Sequence, residues 1–277
     1  MLQLGIINTQ TEQIKSTELF NDLYSVKIID SNIIDIETPN VDAFYLLFDF
    51  SIFDIISQLI KKRIPIFLDD FFKATIEQAS TLLQLSHEAE TFVQINSPLK
   101  HRKFNDILNT HFNNPRYISL HRKISNRSED RLMQELFYEV DFITSKLNAQ
   151  IKKIQSIYIP QNTESIHTIE SRLEFNNGTV FHLFLTLLSA KEGYKIQVVK
   201  NENYLEIDFT KKSLDVSCNF DSKTLDLEDY NNEIDLFLSQ LKDFQLVILE
   251  NKRPLSDLES CLPTLEICKE IIAKLVY

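Results

Sequence analysis

Glycine is almost missing from this chain. Gly5, Gly178 and Gly193 are the three in 277 residues, about 1% where roughly 7% is usual. That shortage excludes a glycine-rich phosphate loop, whether G-x-G-x-x-G or G-x-x-x-x-G-K-[ST]. Cysteine is scarce as well. Cys218, Cys261 and Cys268 are an odd number without C-x-x-C spacing, so neither a zinc site nor a disulfide framework is implied. Cys261 and Cys268 read as small apolar packing groups. Positive charge is in deficit, with a formal net charge of −11. An acidic chain repels nucleic acid and anionic membrane surfaces, which argues against both as partners. Long apolar runs are absent too: the stretch 44–60 is interrupted by Asp49 and Asp54 and cannot span a bilayer. The opening residues 1–8 carry no basic leader or cleavage site, so no signal peptide is expected. The expectation is a soluble cytoplasmic protein without a metal.

What is present is ordinary globular material, 43% apolar and 25% charged, at a length that suggests two domains or one large one. Short apolar runs at 3–7, 25–29, 43–48, 66–68 and 92–95 alternate with helical patterns at 12–23, 52–62 and 74–87. Strand and helix in strict succession predict βαβ units on a parallel, doubly wound sheet. After a helix at 131–147, strand-like runs follow one another directly at 153–159, 167–175, 179–189, 194–199, 204–209 and 214–218. Asn177-Gly178 between two of them signals a hairpin, so this half reads as a mainly antiparallel sheet with α+β character. Helical stretches at 227–241 and 255–275 close the chain, the second expected to break at Pro263. The expected domains are 1–120, Rossmann-like, and 121–277.

Two features bear on partners. Between Lys100 and Arg131 there are eight basic residues (Arg116 and Arg122 among them) against Asp106, Glu129 and Asp130. This is either a local anion site or, more plainly, a solvated face with scattered loop charges. In 180–188, one face carries Val180, His182, Phe184, Thr186 and Leu188, and the other Phe181, Leu183, Leu185 and Leu187. Two mainly apolar faces predict cover on both sides, and a second subunit is a reasonable cover for one of them. A homo-oligomer through this sheet is expected, with a different protein partner also open.

The run Val41-Asp42-Ala43-Phe44-Tyr45-Leu46 through Leu68-Asp69-Asp70-Phe71-Phe72 resembles the glucose-fructose oxidoreductase / inositol dehydrogenase / MocA (Gfo/Idh/MocA) family, in the segment from its "VDAVYI" strand to its "EKP". Further pieces fall in the family's order. Residues 4–7 look like its first strand, Asn96 like the asparagine after its fifth, 132–142 like its "L-L-x-L-x-H-E-x-D-Y" helix, and 175–179 like its "F-x-N-G" hairpin. A weak match at 265–268 looks like part of its closing helix. The resemblance implies an NAD(P)-binding Rossmann domain followed by an α/β domain whose open sheet often forms a subunit interface. The implied activity is hydride transfer between a nicotinamide and a carbinol or carbonyl carbon.

The matching positions depart from that chemistry. Asn8, Gln10 and Gln13 stand where the family's pyrophosphate turn has glycines, with Thr9 between the first two and Glu12 adding negative charge. Side chains there obstruct the dinucleotide, although helix N-terminal amides would remain. Asp30 is placed where an acid would hold a ribose hydroxyl, or is a solvated turn residue. Asp70 stands in for the glutamate of "EKP", Phe71 for its lysine and Phe72 for its proline. Phe48-Asp49 replaces the Thr-Pro turn, and Phe53 a histidine. Gln134 and Tyr138 take the places of the helix's aspartate and histidine, while Glu139 and Asp141 persist. Phenylalanine cannot polarise an oxygen, and a tyrosine with an ordinary pKa near 10 is a poor base at neutral pH. None of the six histidines falls on a family position. The cofactor-side candidates are therefore Asn8, Thr9, Gln10, Asp30, Phe48 and Asp70, and the chemistry-side candidates Phe71, Tyr138 and Asp141. Three readings stay open: a pseudoenzyme that binds a ligand or partner, a divergent NAD(P)-dependent oxidoreductase acting on a sugar or polyol, and a structural subunit of an assembly.

Overall fold

The computed structural model describes residues 2–8, 23–30, 41–101, 114–125, 128–147, 149–157, 166–218, 221–226 and 233–275. The predicted helix at 12–23 lies almost wholly outside them. The chain forms two compact units, Met1–His101 with Asn232–Leu265, and Arg102–Asn231 with Glu266–Tyr277.

The first unit is built on β1 (Leu2–Asn8), β2 (Tyr24–Asp30), β3 (Ala43–Leu47), β4 (Ile66–Asp69) and β5 (Val93–Ile95). They form one sheet in the order β2-β1-β3-β4-β5, with every pair parallel. Among the described residues the crossover helices are α1 (Phe53–Lys61) and α2 (Ile76–Ala89). Thr75 starts α2 through a capping box, its hydroxyl accepting from Gln78 N while the Gln78 side chain accepts from Thr75 N, which satisfies two orphan amides of the first turn. The sequence reading placed 232–265 in the second domain, but that stretch, with α4 (Glu233–Glu250), belongs to this unit; α3 (Glu129–Leu147) belongs to the second. Alternation along the strands sends Leu4, Ile6, Ala43 and Phe67 to one face, where Leu241 and Phe244 of α4 complete the core. Tyr24 is buried there and donates its hydroxyl to Leu241 O at 2.8 Å. On the opposite face a Cβ on Gly5 would lie 2.6 Å from the Phe44 ring, so glycine is what lets β1 and that ring pack.

The second unit is an eight-stranded sheet, ordered β13-β12-β11-β10-β6-β9-β8-β7. Its strands are β6 (Tyr117–Lys123), β7 (Ile151–Ile157), β8 (Thr168–Phe175), β9 (Val180–Thr186), β10 (Gly193–Lys200), β11 (Asn203–Asp208), β12 (Ser213–Cys218) and β13 (Asp221–Asp226). All neighbours are antiparallel except β6 and β9. The Asn177-Gly178 hairpin joins β8 to β9, with Gly178 at φ +86°, a conformation that only glycine adopts freely. A division at residue 120 would cut β6, the strand on which this sheet is centred, because 117–123 was not read as a strand.

The helix α3 (Glu129–Leu147) buries Leu132, Leu136, Phe137, Val140 and Ile143. The last helix, α5 (Leu258–Ala273), runs through Pro263 without breaking. Pro263 is exposed, so the carbonyl it leaves unbonded can face water, and the cost is one helical hydrogen bond. The two faces of β9 are not equally covered. Phe181, Leu183 and Leu185 are fully buried, whereas Val180, His182 and Phe184 are half-buried and Leu188 is 62% exposed. No helix among the described residues is long and apolar enough to cross a membrane.

Candidate functional site

Parallel sheets bind ligands outside the carboxyl ends of their strands, where the strand order reverses; here that place is between β1 and β3. Asn8 and Asp30 end β1 and β2 in direct register, so the backbone brings these two candidates together. Their side chains, and Thr9 and Gln10 altogether, lie outside the described residues. Phe48 follows β3, is buried, and donates its N–H to Asp69 O at 2.9 Å. Asp49 caps the short 3-10 turn Phe50–Ile52 by accepting from Ser51 N at 2.9 Å. That bond holds its carboxyl below the usual range.

The buried acid at this sheet end is Asp69 rather than Asp70. Asp69 is the last residue of β4, and both its oxygens are occupied. Oδ1 accepts from Asn96 Nδ2 and from Asp70 N, each at 2.7 Å, and Oδ2 accepts from the Tyr45 hydroxyl at 2.9 Å. Burial, then the Asp69 charge, pushes the Tyr45 phenol far above its ordinary value, so it stays a donor. Asn96 passes the network on, its Oδ1 accepting from Gln240 Nε2 at 2.8 Å, and Gln240 Oε1 accepts from Ser97 N at 2.7 Å. Asp70 takes a left-handed backbone at φ 54° and pairs with Lys73 Nζ at 3.1 Å. Phe71, at the position assigned to the lysine, is 2% exposed and belongs to the core. The sequence pointed to Asn96 but missed Asp69 and Gln240; two adjacent aspartates leave the strand end ambiguous by one residue, and Gln240 comes from a helix 144 residues away.

In the second unit the candidates on α3 are all buried, Tyr138 at 6% and Asp141 at 1% exposed. Asp141 faces Cys268 of α5, whose thiol is pushed up, first by burial and then by that carboxylate. The dominant feature is one that the sequence did not disclose. Glu135 and Glu139, one turn apart, point at Arg122 of β6, with Nη2 to Glu135 Oε1 at 2.8 Å and Nη1 to Glu139 Oε1 at 3.1 Å. Arg131 Nη2 reaches Glu135 Oε1 at 2.6 Å, and the Tyr194 hydroxyl donates to Glu139 Oε2 at 2.8 Å. The Arg122 guanidinium also stacks on the Tyr194 ring, 4.6 Å from its centre. The signal available was Arg122 itself, an arginine on the core-facing side of an alternating strand. The histidines lie elsewhere. His121 and His182 are neighbours on the other face of this sheet, with His182 Nε2 3.2 Å from Glu170 Oε1. Burial, then Lys100, pushes His101 down to about 4.

A dinucleotide needs room and positive charge at the sheet end. The described residues there offer the carboxylates of Asp49, Asp69 and Asp70 and one ammonium, Lys73, already drawn to Asp70. Three carboxylates against one engaged ammonium disfavour a pyrophosphate at these residues, and the turn at 9–13 that would meet it lies outside the described ones. Among the described residues no group of three or more His, Cys, Asp or Glu side chains is arranged to hold a metal.

No protein-family model matches the chain, and no curated protein matches it in sequence. Solved structures do match in shape over nearly the full length. UDP-N-acetylglucosamine 3-dehydrogenase GnnA from Acidithiobacillus ferrooxidans superposes with a TM-score of 0.86 at 14% identity, covering 99% of this chain and 97% of that one. An oxidoreductase from Agrobacterium radiobacter, solved with NAD+, L-tartaric acid and magnesium, gives 0.82 at 8% identity, covering 99% and 96%. An aldose-aldose oxidoreductase from Caulobacter crescentus gives 0.77 at 12% identity, covering 99% and 97%. At these identities the likeness is one of fold, and it bears out the fold expected from the sequence: a Rossmann-like parallel sheet followed by a large, mainly antiparallel one.

Proposed function

From the premise that this chain has the fold of the Gfo/Idh/MocA-type dehydrogenases, we propose that it is a non-catalytic form of that fold, a scaffold that binds a ligand or partner and transfers no hydride. The observation that carries this reading is the state of the polar groups where proton and hydride chemistry would be expected. Asp69 has both oxygens bonded internally, Asp70 takes up Lys73, and Phe71 is core. On α3 a buried tyrosine replaces the histidine, and Glu135 and Glu139 are held by Arg122, Arg131 and Tyr194. A positioned proton carrier contributes roughly 10²–10⁴ in rate, and these groups are fixed in structural pairs instead.

The test is turnover. Purified protein is incubated with NAD+ or NADP+ and, in turn, UDP-N-acetylglucosamine, aldoses and polyols, and the reduced nicotinamide is followed by absorbance. No rate above the protein-free blank is expected; a rate that scales with enzyme concentration refutes the proposal. A second reading, an NAD(P)-dependent oxidoreductase with a displaced ammonium, draws support from Lys73, whose 3-10 turn returns its Nζ to Asp70. Under that reading Lys73→Met abolishes the turnover just described.

The same scaffold reading puts a second copy of the chain on the half-buried face of the eight-stranded sheet. Lys195, Arg172, Glu170 and Glu206 lie there as a mixed-sign surface, which does not repel its own copy. Sedimentation is expected to give a dimer or larger, and a monomer at high protein concentration contradicts it.

A further inference from the structure

Strand order brings three turns of the second unit together. β6 lies between β9 and β10, and Tyr117 is in register with both Val180 and Val199. The segment before β6, the β8–β9 turn and the β10–β11 turn therefore end side by side. They line a pocket of about 370 Å³ formed by Asn114, Pro115, Arg116, Asn177, Lys200 and Asn201. Backbone bonds fix its frame. Arg116 N donates to Val199 O at 2.8 Å, Arg116 O accepts from Val180 N at 3.1 Å, and the Thr179 hydroxyl donates to Pro115 O at 2.6 Å. Asn177 Oδ1 accepts from Thr179 N at 3.0 Å, so the group that this side chain can offer a ligand is its NH2 donor. Arg116 Nη1 lies 3.8 Å from where a Cβ on Gly178 would stand, so the guanidinium rests over the hairpin turn.

The lining holds a guanidinium, an ammonium and three carboxamides, and no carboxylate. Arg116 is exposed and has no ion-pair partner among the described residues. In a chain of net charge −11, such a lining is a local reversal of sign, and Arg116 comes from the basic stretch 100–131. We propose that it binds the phosphate group of a small phosphorylated molecule. The planar fork of Arg116 suits bidentate contact with two phosphate oxygens, and the Asn177 NH2 adds a neutral donor beside it. The volume lies within the range of small-molecule sites, about 300–1,000 Å³, so there is room for the group that carries the phosphate. All the lining residues belong to one unit, and the proposal stands whether or not the chain binds a dinucleotide.

The experiment is calorimetric titration of the full chain with inorganic phosphate, then with glycerol phosphate. Saturable binding is expected for both, weakening as sodium chloride is added. Arg116→Ala should weaken it roughly 10- to 100-fold, the range for one charge-assisted hydrogen-bonding partner. Arg116→Lys should recover part of the loss, since it keeps the charge without the fork, and Arg116→Glu should abolish binding. Each variant should melt with the wild type, because the residue is exposed. Absence of saturable phosphate binding at millimolar concentration overturns the proposal, as does wild-type affinity in Arg116→Glu.

Discussion

Replacing Arg122 with methionine is the sharpest perturbation that the second unit offers. The substitution keeps an apolar stem against the Tyr194 ring but removes the guanidinium from two carboxylates. Arg122 is 14% exposed at its side chain, Glu135 2% and Glu139 0%, so solvent cannot replace the lost partner. Glu135 retains Arg131 and Glu139 retains the Tyr194 hydroxyl. Breaking one side of a buried pair costs about 3–5 kcal/mol, against a total stability of roughly 5–15 kcal/mol for a typical domain. The loss is read from urea unfolding followed by circular dichroism and tyrosine fluorescence, since the chain has no tryptophan. Arg122→Met combined with Glu139→Gln should be more stable than Arg122→Met alone, because the buried charge goes with its partner. A loss below about 1 kcal/mol, the size expected of an exposed pair, refutes the reasoning, as does a double variant no better than the single.

Other expectations follow from individual groups. Gly5→Ala should cost about 1–3 kcal/mol by overpacking, since the new Cβ meets the Phe44 ring; an unchanged melting temperature would contradict it. Glu206 is held down at about 2 by Lys195, Tyr204 and Gln197, from an ordinary value of 4.5. Its folded value being depressed, it contributes stability above pH 4.5 that is lost as pH falls towards 2, so wild type and Glu206→Gln should converge over that interval when melts are compared. His101 is pushed down to about 4 from 6.5, by burial first. Below pH 6.5 the unfolded chain takes up its proton first, so this group should cost stability as pH falls towards 4, and His101→Phe should flatten that slope. Asp243 is raised by burial and its Oδ2 has no hydrogen-bond partner. Its charged form is penalised in the fold at neutral pH, and Asp243→Asn should raise stability by up to about 1 kcal/mol; a clear destabilisation would contradict this.

Periodicity made much of the fold legible. Short apolar runs between helical patterns gave β1 to β5, consecutive strand-like runs gave β7 to β12, and Asn177-Gly178 marked its hairpin because Gly178 sits at a positive φ. β6 was missed because Arg122 occupies a core-facing position and breaks the apolar alternation; its compensation by Glu135 and Glu139 lies on another element. α4 was read as helical, but no local pattern tells which sheet it will cover, since Leu241 and Phe244 are merely apolar until they meet Leu4 and Phe67. The site was legible in residue type and not in use. The absence of lysine and histidine could be read directly, whereas the bonding of Asp69 to Tyr45, Asn96 and Asp70 depends on strands that are distant in sequence.

The proposal that this chain transfers no hydride rests first on a sheet end that holds no nicotinamide dinucleotide. Thermal melts of the full chain with NAD+, NADH, NADP+ and NADPH up to millimolar concentration test it most directly. A ligand that binds only the folded state adds about 2.7 kcal/mol at 100 times its dissociation constant, which a melt reads easily. No shift with any of the four is the predicted result. A saturable shift with one of them contradicts it.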